Sequence, residues 1–294
     1  MRLIGTCLPL LFLFSGMPSL AAPCGDLTAL TISATAITSA ATVPAGPFSP
    51  GASSGRGGSP LRSFPAFCRV LAVAKPVPDS EIRIEIWLPE SSAWNGKLLG
   101  TGNGGYSGAI GFNDMERGLR LGYAVAGSNT GHEGGDLGFG TGHPEKINDW
   151  AFRAVHVMTE TAVLVVRSYY GRLPAHSYFS GCSTGGQQAL TEAQRFPRDY
   201  DGILAGDPGN NRVRLNIGFL WSWLAAHADA SAPLPASKLA LINKAAIAAC
   251  DAADGVKDGM IGEPLSCKFD PAVLQCSGED HADCLTTSQV AAVC

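Results

Sequence analysis

Hydrophobic and polar residues alternate over 81–88, Glu-Ile-Arg-Ile-Glu-Ile-Trp-Leu, which predicts a half-buried strand ended by Pro89. Short apolar runs bounded by glycine at 97–100 and 123–127 predict buried strands. Over 148–169 the period changes. Ala151, Val155, Met158, Ala162 and Val165 recur at helical spacing, with Asn148 or Asp149 placed to cap the helix. A strand over 177–180 ends at Gly181, a helix over 187–195 stops before Pro197, and 202–205 is one more apolar strand. Strands alternating with helices predict an α/β fold, a mainly parallel sheet with helices on both faces. Residues 44–60, rich in Gly, Pro and Ser, read as a loop. After residue 210 the character changes. Residues 213–226 are apolar and aromatic, an Ala-rich helix follows over 236–249, and a cysteine-punctuated tail closes the chain. A domain or insertion boundary is placed near 210.

Length and composition sharpen this picture. The 294 residues suffice for a sizeable core. With 46% apolar and only 16% charged residues, the chain is not a disordered one. A net charge of −4 leaves no basic footprint, so no nucleic-acid partner is expected. Arg2, the apolar run Leu3–Phe14 and the small-residue site Ser19-Leu20-Ala21 read as a secretory signal peptide over 1–21. That implies a secreted or periplasmic protein. No other segment is apolar and long enough to span a bilayer, so no membrane partner is expected. Cleavage would remove Cys7 and leave eight cysteines in an oxidising compartment, where disulfides are favoured. No CxxC pair occurs, and the spacings are too wide for a zinc knuckle.

Gly181-Cys182-Ser183-Thr184-Gly185 is a G-x-S-x-G sequence between a predicted strand and a predicted helix, the setting a nucleophile elbow requires. Ser183 would project from the turn, with the helix N-terminus behind it favouring developing negative charge. Gly102-Asn103-Gly104-Gly105-Tyr106 follows the strand ending at Gly100. It stands where α/β-hydrolases carry their Gly-rich oxyanion loop. The oxyanion donors would be the N–H of Thr184 and that of Gly105 or its neighbour Gly104. In that fold the orienting acid and the base follow the serine. Only His227 and His281 do so here; His227 reads as a helix histidine and His281 as an exposed loop residue. His132, in Asn129-Thr130-Gly131-His132, precedes the serine and reads as structural or as part of the site wall. Asp251, Asp254 and Asp258 crowd three carboxylates into eight residues with two Asp-Gly turns. Such oxygens suit Ca²⁺ better than Mg²⁺, although the spacing is not that of an EF-hand.

Together these residues resemble the tannase/feruloyl esterase family, which also contains bacterial mono(2-hydroxyethyl) terephthalate hydrolases. The similarity runs from about Cys24 to residue 293. It is carried by Gly102–Tyr106, Trp150–His156, Gly181–Gly186, Phe196–Ile203 and the Asp251–Gly259 loop. The cysteine directly before the serine is its most specific feature. The resemblance implies a secreted α/β-hydrolase that cleaves esters of aromatic or phenolic acids through an acyl-enzyme on Ser183. It implies a hydrolase core over 22–209 (the N-terminal part of the sheet) and the start of an inserted lid domain over 210–294. It implies a structural Ca²⁺ held by side chains of Asp251, Asp254 and Asp258 and by the carbonyls of Val256 and Met260. It implies the disulfides Cys24–Cys68, Cys250–Cys267 and Cys276–Cys284. The family ties the cysteine beside its nucleophile to one immediately after the catalytic histidine. No His-Cys dipeptide occurs here, so Cys182 has no partner and the triad Asp and His have no counterpart. Those groups are expected beyond residue 294. The alternative expectation is a catalytically inactive truncated fragment or a binding remnant. A peptidase or lipase is disfavoured by Cys182 and the acidic loop.

Overall fold

The computed structural model describes residues 22–50 and 62–293. The expected leader with Cys7, the middle of the Gly/Pro/Ser-rich segment and Cys294 lie outside the described residues. The strands are β1 (Thr35–Val43), β2 (Gly46–Phe48), β3 (Arg62–Phe64), β4 (Phe67–Ala74), β5 (Ile82–Pro89), β6 (Lys97–Thr101), β7 (Ala124–Ser128), β8 (His176–Cys182) and β9 (Gly202–Gly206). The helices are α1 (Phe112–Arg120), α2 (Pro144–Asn148), α3 (Ala154–Tyr170), α4 (Thr184–Arg195), α5 (Arg212–Ala226), α6 (Ala236–Cys250) and α7 (Thr287–Val293). The chain divides into two compact units, one up to Asn210 and one from Asn211.

In the first unit seven strands form one sheet in the order β1-β4-β5-β7-β6-β8-β9. It is mixed, not mainly parallel as the alternation of elements predicts. β1, β4, β5 and β7 pair antiparallel, and only β7, β6, β8 and β9 run parallel. The strands β1, β4 and β5 are joined without crossover helices, and antiparallel neighbours need none. Successive residues of a strand face opposite sides, and β7 shows what each side meets. Ala124 and Ala126 join a core with Val155, Met158, Ala162 and Val165 of α3. Val125 joins a second core with Met115 and Leu119 of α1 and with Phe67 and Trp87. The helices therefore cover both faces, as expected.

Two local expectations change. The helix predicted from 148 begins earlier, as α2, and passes through a π-helical turn over Asp149–Arg153 into α3. Neither Asn148 nor Asp149 caps it. Asp149 is buried within the helix, where Ser80 Oγ donates to its Oδ2 (2.7 Å) and Arg153 stands 3.1 Å from Oδ1. Desolvation holds its carboxyl above the usual carboxylate range. The Gly/Pro/Ser-rich segment is also not loop throughout. Gly46–Phe48 pairs antiparallel with Arg62–Phe64, and Phe48 packs edge-on against Phe64, Phe67 and Trp87 at 5.4, 5.3 and 5.9 Å.

Cys24–Cys68 ties the start of the described chain to β4, while Cys250–Cys267 and Cys276–Cys284 cross-link the second unit. These are the three pairings the resemblance implies. In the second unit Lys238 is buried, donating to Gln289 Oε1 (2.7 Å) and to the Asp280 carboxylate. No helix among the described residues is long and apolar enough to cross a membrane.

Candidate active site

β6 lies between β7 and β8, so the chain leaves β6 to one side and returns to its other side. The loops that follow β6 and β8 meet at this change of direction. In open α/β sheets, ligands bind outside the carboxyl ends of the strands at such a point. Thr101 of β6 is registered against Ser180 of β8. This places the Gly102–Tyr106 loop beside the turn that carries Ser183.

Ser183 is the single residue between β8 and α4, with φ 60° and ψ −115°. A non-glycine residue in that region costs of order 1–3 kcal/mol and persists only where its surroundings fix it. Here both of its peptide groups are held. The Ser183 N–H donates to Gly206 O of β9 (3.0 Å), and its carbonyl accepts from Gly209 N (2.9 Å) and Gln187 N (3.1 Å). The side chain stands exposed at the N-terminus of α4, and Oγ has no hydrogen-bond partner among the described residues. Thr184, the first residue of α4, is buried.

The glycine loop is packed onto that turn. A β-carbon on Gly102 would stand 2.6 Å from the Gly185 α-carbon, so two backbones touch where side chains would part them. Asn103, which sequence reasoning did not single out, builds the rest. Its N–H donates to Gln188 Oε1 of α4 (3.0 Å), and Gln188 Nε2 donates back to Asn103 Oδ1 (3.2 Å). Asn103 Nδ2 donates to Ala109 O (2.7 Å) and Ser128 O (2.8 Å). Buried amides paired this fully fix the loop relative to both α4 and β7. Gly104 and Gly105 remain exposed beyond Asn103, and Gly105 has φ +58°.

Four of the six histidines hydrogen-bond elsewhere, and His176 and His281 are exposed. His132 is buried and donates from Nε2 to Tyr106 O (2.8 Å). His143 donates to Asp79 (2.9 Å), His227 to Trp223 O (2.7 Å), and His281 is exposed. His156 donates from Nδ1 to Asp199 Oδ2 (2.6 Å) and stacks on Phe196. Hydrogen bonding to Asp199 raises the His156 imidazolium above its usual range against the opposing effect of burial. Beside this pair lies Glu192, fully buried, with no donor on either carboxylate oxygen. Burial first, then the Asp199 charge, pushes its carboxyl up to about 8. A proton held on Glu192 can then be donated to Asp199, which satisfies both. Glu192 is nine residues along α4 from Ser183, about 13 Å at 1.5 Å per residue, so this network is not the serine's acid–base pair.

Cys182 is exposed and the one free cysteine among the described residues. In the acidic loop, Asp251 is buried and its Oδ1 accepts from Asp258 N (3.2 Å) and Gly259 N (2.9 Å). Asp254 accepts from Val256 N (2.9 Å) and Gly262 N (3.1 Å), and Asp258 from Met260 N (3.0 Å). Among the described residues no group of three or more His, Cys, Asp or Glu side chains is gathered as a metal cluster. The donor chemistry nonetheless suits a hard cation: three carboxylates with no ion pair among the described residues, in a loop whose ends Cys250–Cys267 closes.

A strained serine between strand and helix, at the switch point of a mixed sheet covered on both faces, defines a fold of the α/β-hydrolase type. Within it, the chain belongs to the tannase and feruloyl esterase family, whose description matches residues 68–294. An uncharacterized esterase of Xanthomonas campestris pv. campestris is 42% identical over 274 residues, covering 92% of this chain and 46% of that protein. A probable feruloyl esterase B-2 of Aspergillus flavus is 35% identical over 230 residues, covering 76% of this chain and 43% of that protein. The crystal structure of feruloyl esterase B from Aspergillus oryzae superposes with a TM-score of 0.80 at 31% identity, covering 92% of this chain and 54% of that one. The chain thus spans about half the length of the curated relatives it matches.

Proposed function

We propose that this chain carries the nucleophile and oxyanion loops of a serine carboxylic ester hydrolase acting on small esters of aromatic or phenolic acids. The observation that carries the reading is Ser183, held in a strained backbone at the carboxyl end of β8 with the Gly102–Tyr106 loop packed against its turn. Ser183 Oγ attacks the ester carbonyl and the alcohol leaves, giving an acyl-enzyme that water cleaves. The N–H groups of Thr184 and Gly105 stabilise the developing oxyanion. The relatives named feruloyl esterases support the choice of an aromatic acid ester. We also read the protein as secreted or periplasmic, supported by the leader pattern and the three disulfides, and the acidic loop as a structural Ca²⁺ site using Asp251, Asp254, Asp258 and the carbonyls of Val256 and Met260.

The test is hydrolysis of methyl esters of hydroxycinnamic and hydroxybenzoic acids by the protein at its full natural length and by its Ser183→Ala variant. Loss of at least about a thousandfold in kcat is expected. Equal activity in the two would remove Ser183 from the nucleophile role. Because no described histidine side chain hydrogen-bonds to Ser183, a second reading stands beside it: the 294-residue chain by itself turns over no ester. Assaying that chain in parallel separates the two.

A further inference from the structure

We propose that His132 is a positioning residue for the oxyanion side of the Ser183 site, an inference that rests on the esterase reading above. The loop after β6 is anchored at two places. Asn103 holds its beginning through Gln188 and Ser128. Its far side is held by the turn after β7. His132 Nε2 donates to Tyr106 O at 2.8 Å, and Gly108 N donates to Gly134 O at 2.6 Å. The carbonyl that His132 holds lies in the Tyr106–Ser107 peptide, two peptide units beyond the one carrying the Gly105 N–H, the proposed oxyanion donor. Ser107 N donates back to Gly104 O (3.2 Å), so the held carbonyl belongs to the turn that presents Gly105.

His132 is built for this task. It is buried, and its ring stacks on Phe139 with centroids 3.8 Å apart and planes 11° apart. The turn that presents it is folded by Asn129, whose Oδ1 accepts from Arg83 N (2.8 Å) and Gly131 N (3.0 Å). A carbonyl only accepts, so Nε2 carries a proton whether the ring is neutral or charged. Nε2 is therefore the donor in this contact and is not free to take a proton from Ser183. Its role is to hold the loop. Misplacing an oxyanion donor by about an ångström costs on the order of a hundredfold in rate.

The experiment measures aryl-ester kinetics of the full-length protein with His132→Phe, His132→Asn and His132→Gln, alongside Ser183→Ala. Phe keeps the stacking volume without the donor, Asn is too short to reach Tyr106 O, and Gln places an N–H near the Nε2 position. Phe and Asn are expected to lower kcat roughly 10- to 100-fold with KM within about twofold, and Gln to recover most of that loss. Thermal midpoints identify any variant that does not fold, and the Asn/Gln pair decides the matter if Phe does not. Full kcat in His132→Phe or His132→Asn overturns the proposal. So does equal impairment of Gln and Asn, which marks a packing role, and so does loss of one limb of the pH–rate profile in all three, which marks a proton-transfer role. Each leaves the Ser183 reading standing while Ser183→Ala is inactive. An active Ser183→Ala removes that reading and this inference with it.

Discussion

Gly181 and Gly185 meet backbone to backbone: a β-carbon on Gly181 would stand 2.4 Å from the Gly185 carbonyl oxygen and 2.7 Å from its α-carbon. Gly181 is therefore consumed by the contact between β8 and α4, while a β-carbon on Gly185 would meet the Asn103 carbonyl oxygen at 3.1 Å, in the loop after β6. The obstacle to a side chain is backbone, which cannot swing aside. Gly181→Ala is expected to destabilise the first unit by about 3 kcal/mol or more, at the upper end of overpacking costs. Gly104 is the control, because a β-carbon there meets nothing within 4 Å. Gly104→Ala is expected to stay within about 0.5 kcal/mol. Urea unfolding of the two variants checks this, and similar midpoints would show that the contact is not as tight as it looks.

The buried Glu192 predicts a stability that falls as pH rises. Its carboxyl sits at about 8 in the folded chain against an ordinary 4.5. Between those values the unfolded chain has released the proton and the folded chain keeps it. Folding then binds a proton, and stability declines with pH. His156 acts in the same direction, since its raised imidazolium stabilises the fold at low pH and that contribution is lost as pH rises through the raised value. The fall is on the order of a few kcal/mol across pH 5 to 8. Glu192→Gln keeps the shape and offers Asp199 an N–H without a titrating proton. It is expected to match the wild type near pH 5 and to melt several degrees higher at pH 8. Parallel melting curves across that range would exclude Glu192 as the cause.

What the sequence revealed of this molecule was set by how local each cause is. A strand was legible near 81–88 from its alternation, but it runs through Pro89 and is buried on both faces rather than half-buried, because cores lie on both sides of the sheet. The elbow was legible because its glycines flank the serine directly. β1 was not, because Thr-Ala-Ile-Thr-Ser-Ala-Ala-Thr-Val has no clean apolar face until β4 pairs with it. Pairing direction was hidden too, since a strand's own pattern does not say which way its neighbour runs. Asp149 read as a cap because its partner Ser80 is 69 residues away. The Asn103–Gln188 pair spans 85 residues and the His132–Tyr106 bond 26, so neither leaves a signal at short range.

Cys24–Cys68 closes 44 residues of chain and joins the segment before β1 to buried Cys68 of β4, the strand beside the sheet's edge. Chain-entropy arguments give a loop of that length roughly 4 kcal/mol, with less realised where the unfolded chain keeps structure. Cys276–Cys284 closes only 8 residues and is worth correspondingly less. Replacing the first pair by serines is expected to lower the melting temperature by clearly more than replacing the second. Equal shifts would mean that the longer bridge constrains little that the sheet does not already constrain.

The acidic loop separates two accounts of the same three carboxylates. In the first, the loop holds itself: Asp251, Asp254 and Asp258 each take backbone N–H groups, and nothing further is needed. In the second, those bonds orient the carboxylates while Asp251 Oδ2 and Asp258 Oδ2, which take none of these N–H groups, face a cation together with the Val256 and Met260 carbonyls. The spacing of the three carboxylates along the loop motivates the second account and their backbone hydrogen bonds the first, and Ca²⁺ addition decides between them. Chelator-treated protein returned to 1 mM Ca²⁺ is expected to gain about 2.7 kcal/mol if the site binds a hundredfold more tightly than that concentration. Equal Mg²⁺ should do much less, since it gives up its waters reluctantly. Asp254→Asn and Asp258→Asn should abolish the Ca²⁺ shift. A melting temperature indifferent to Ca²⁺, with Asp251→Asn still destabilising, would leave the N–H groups as the whole explanation.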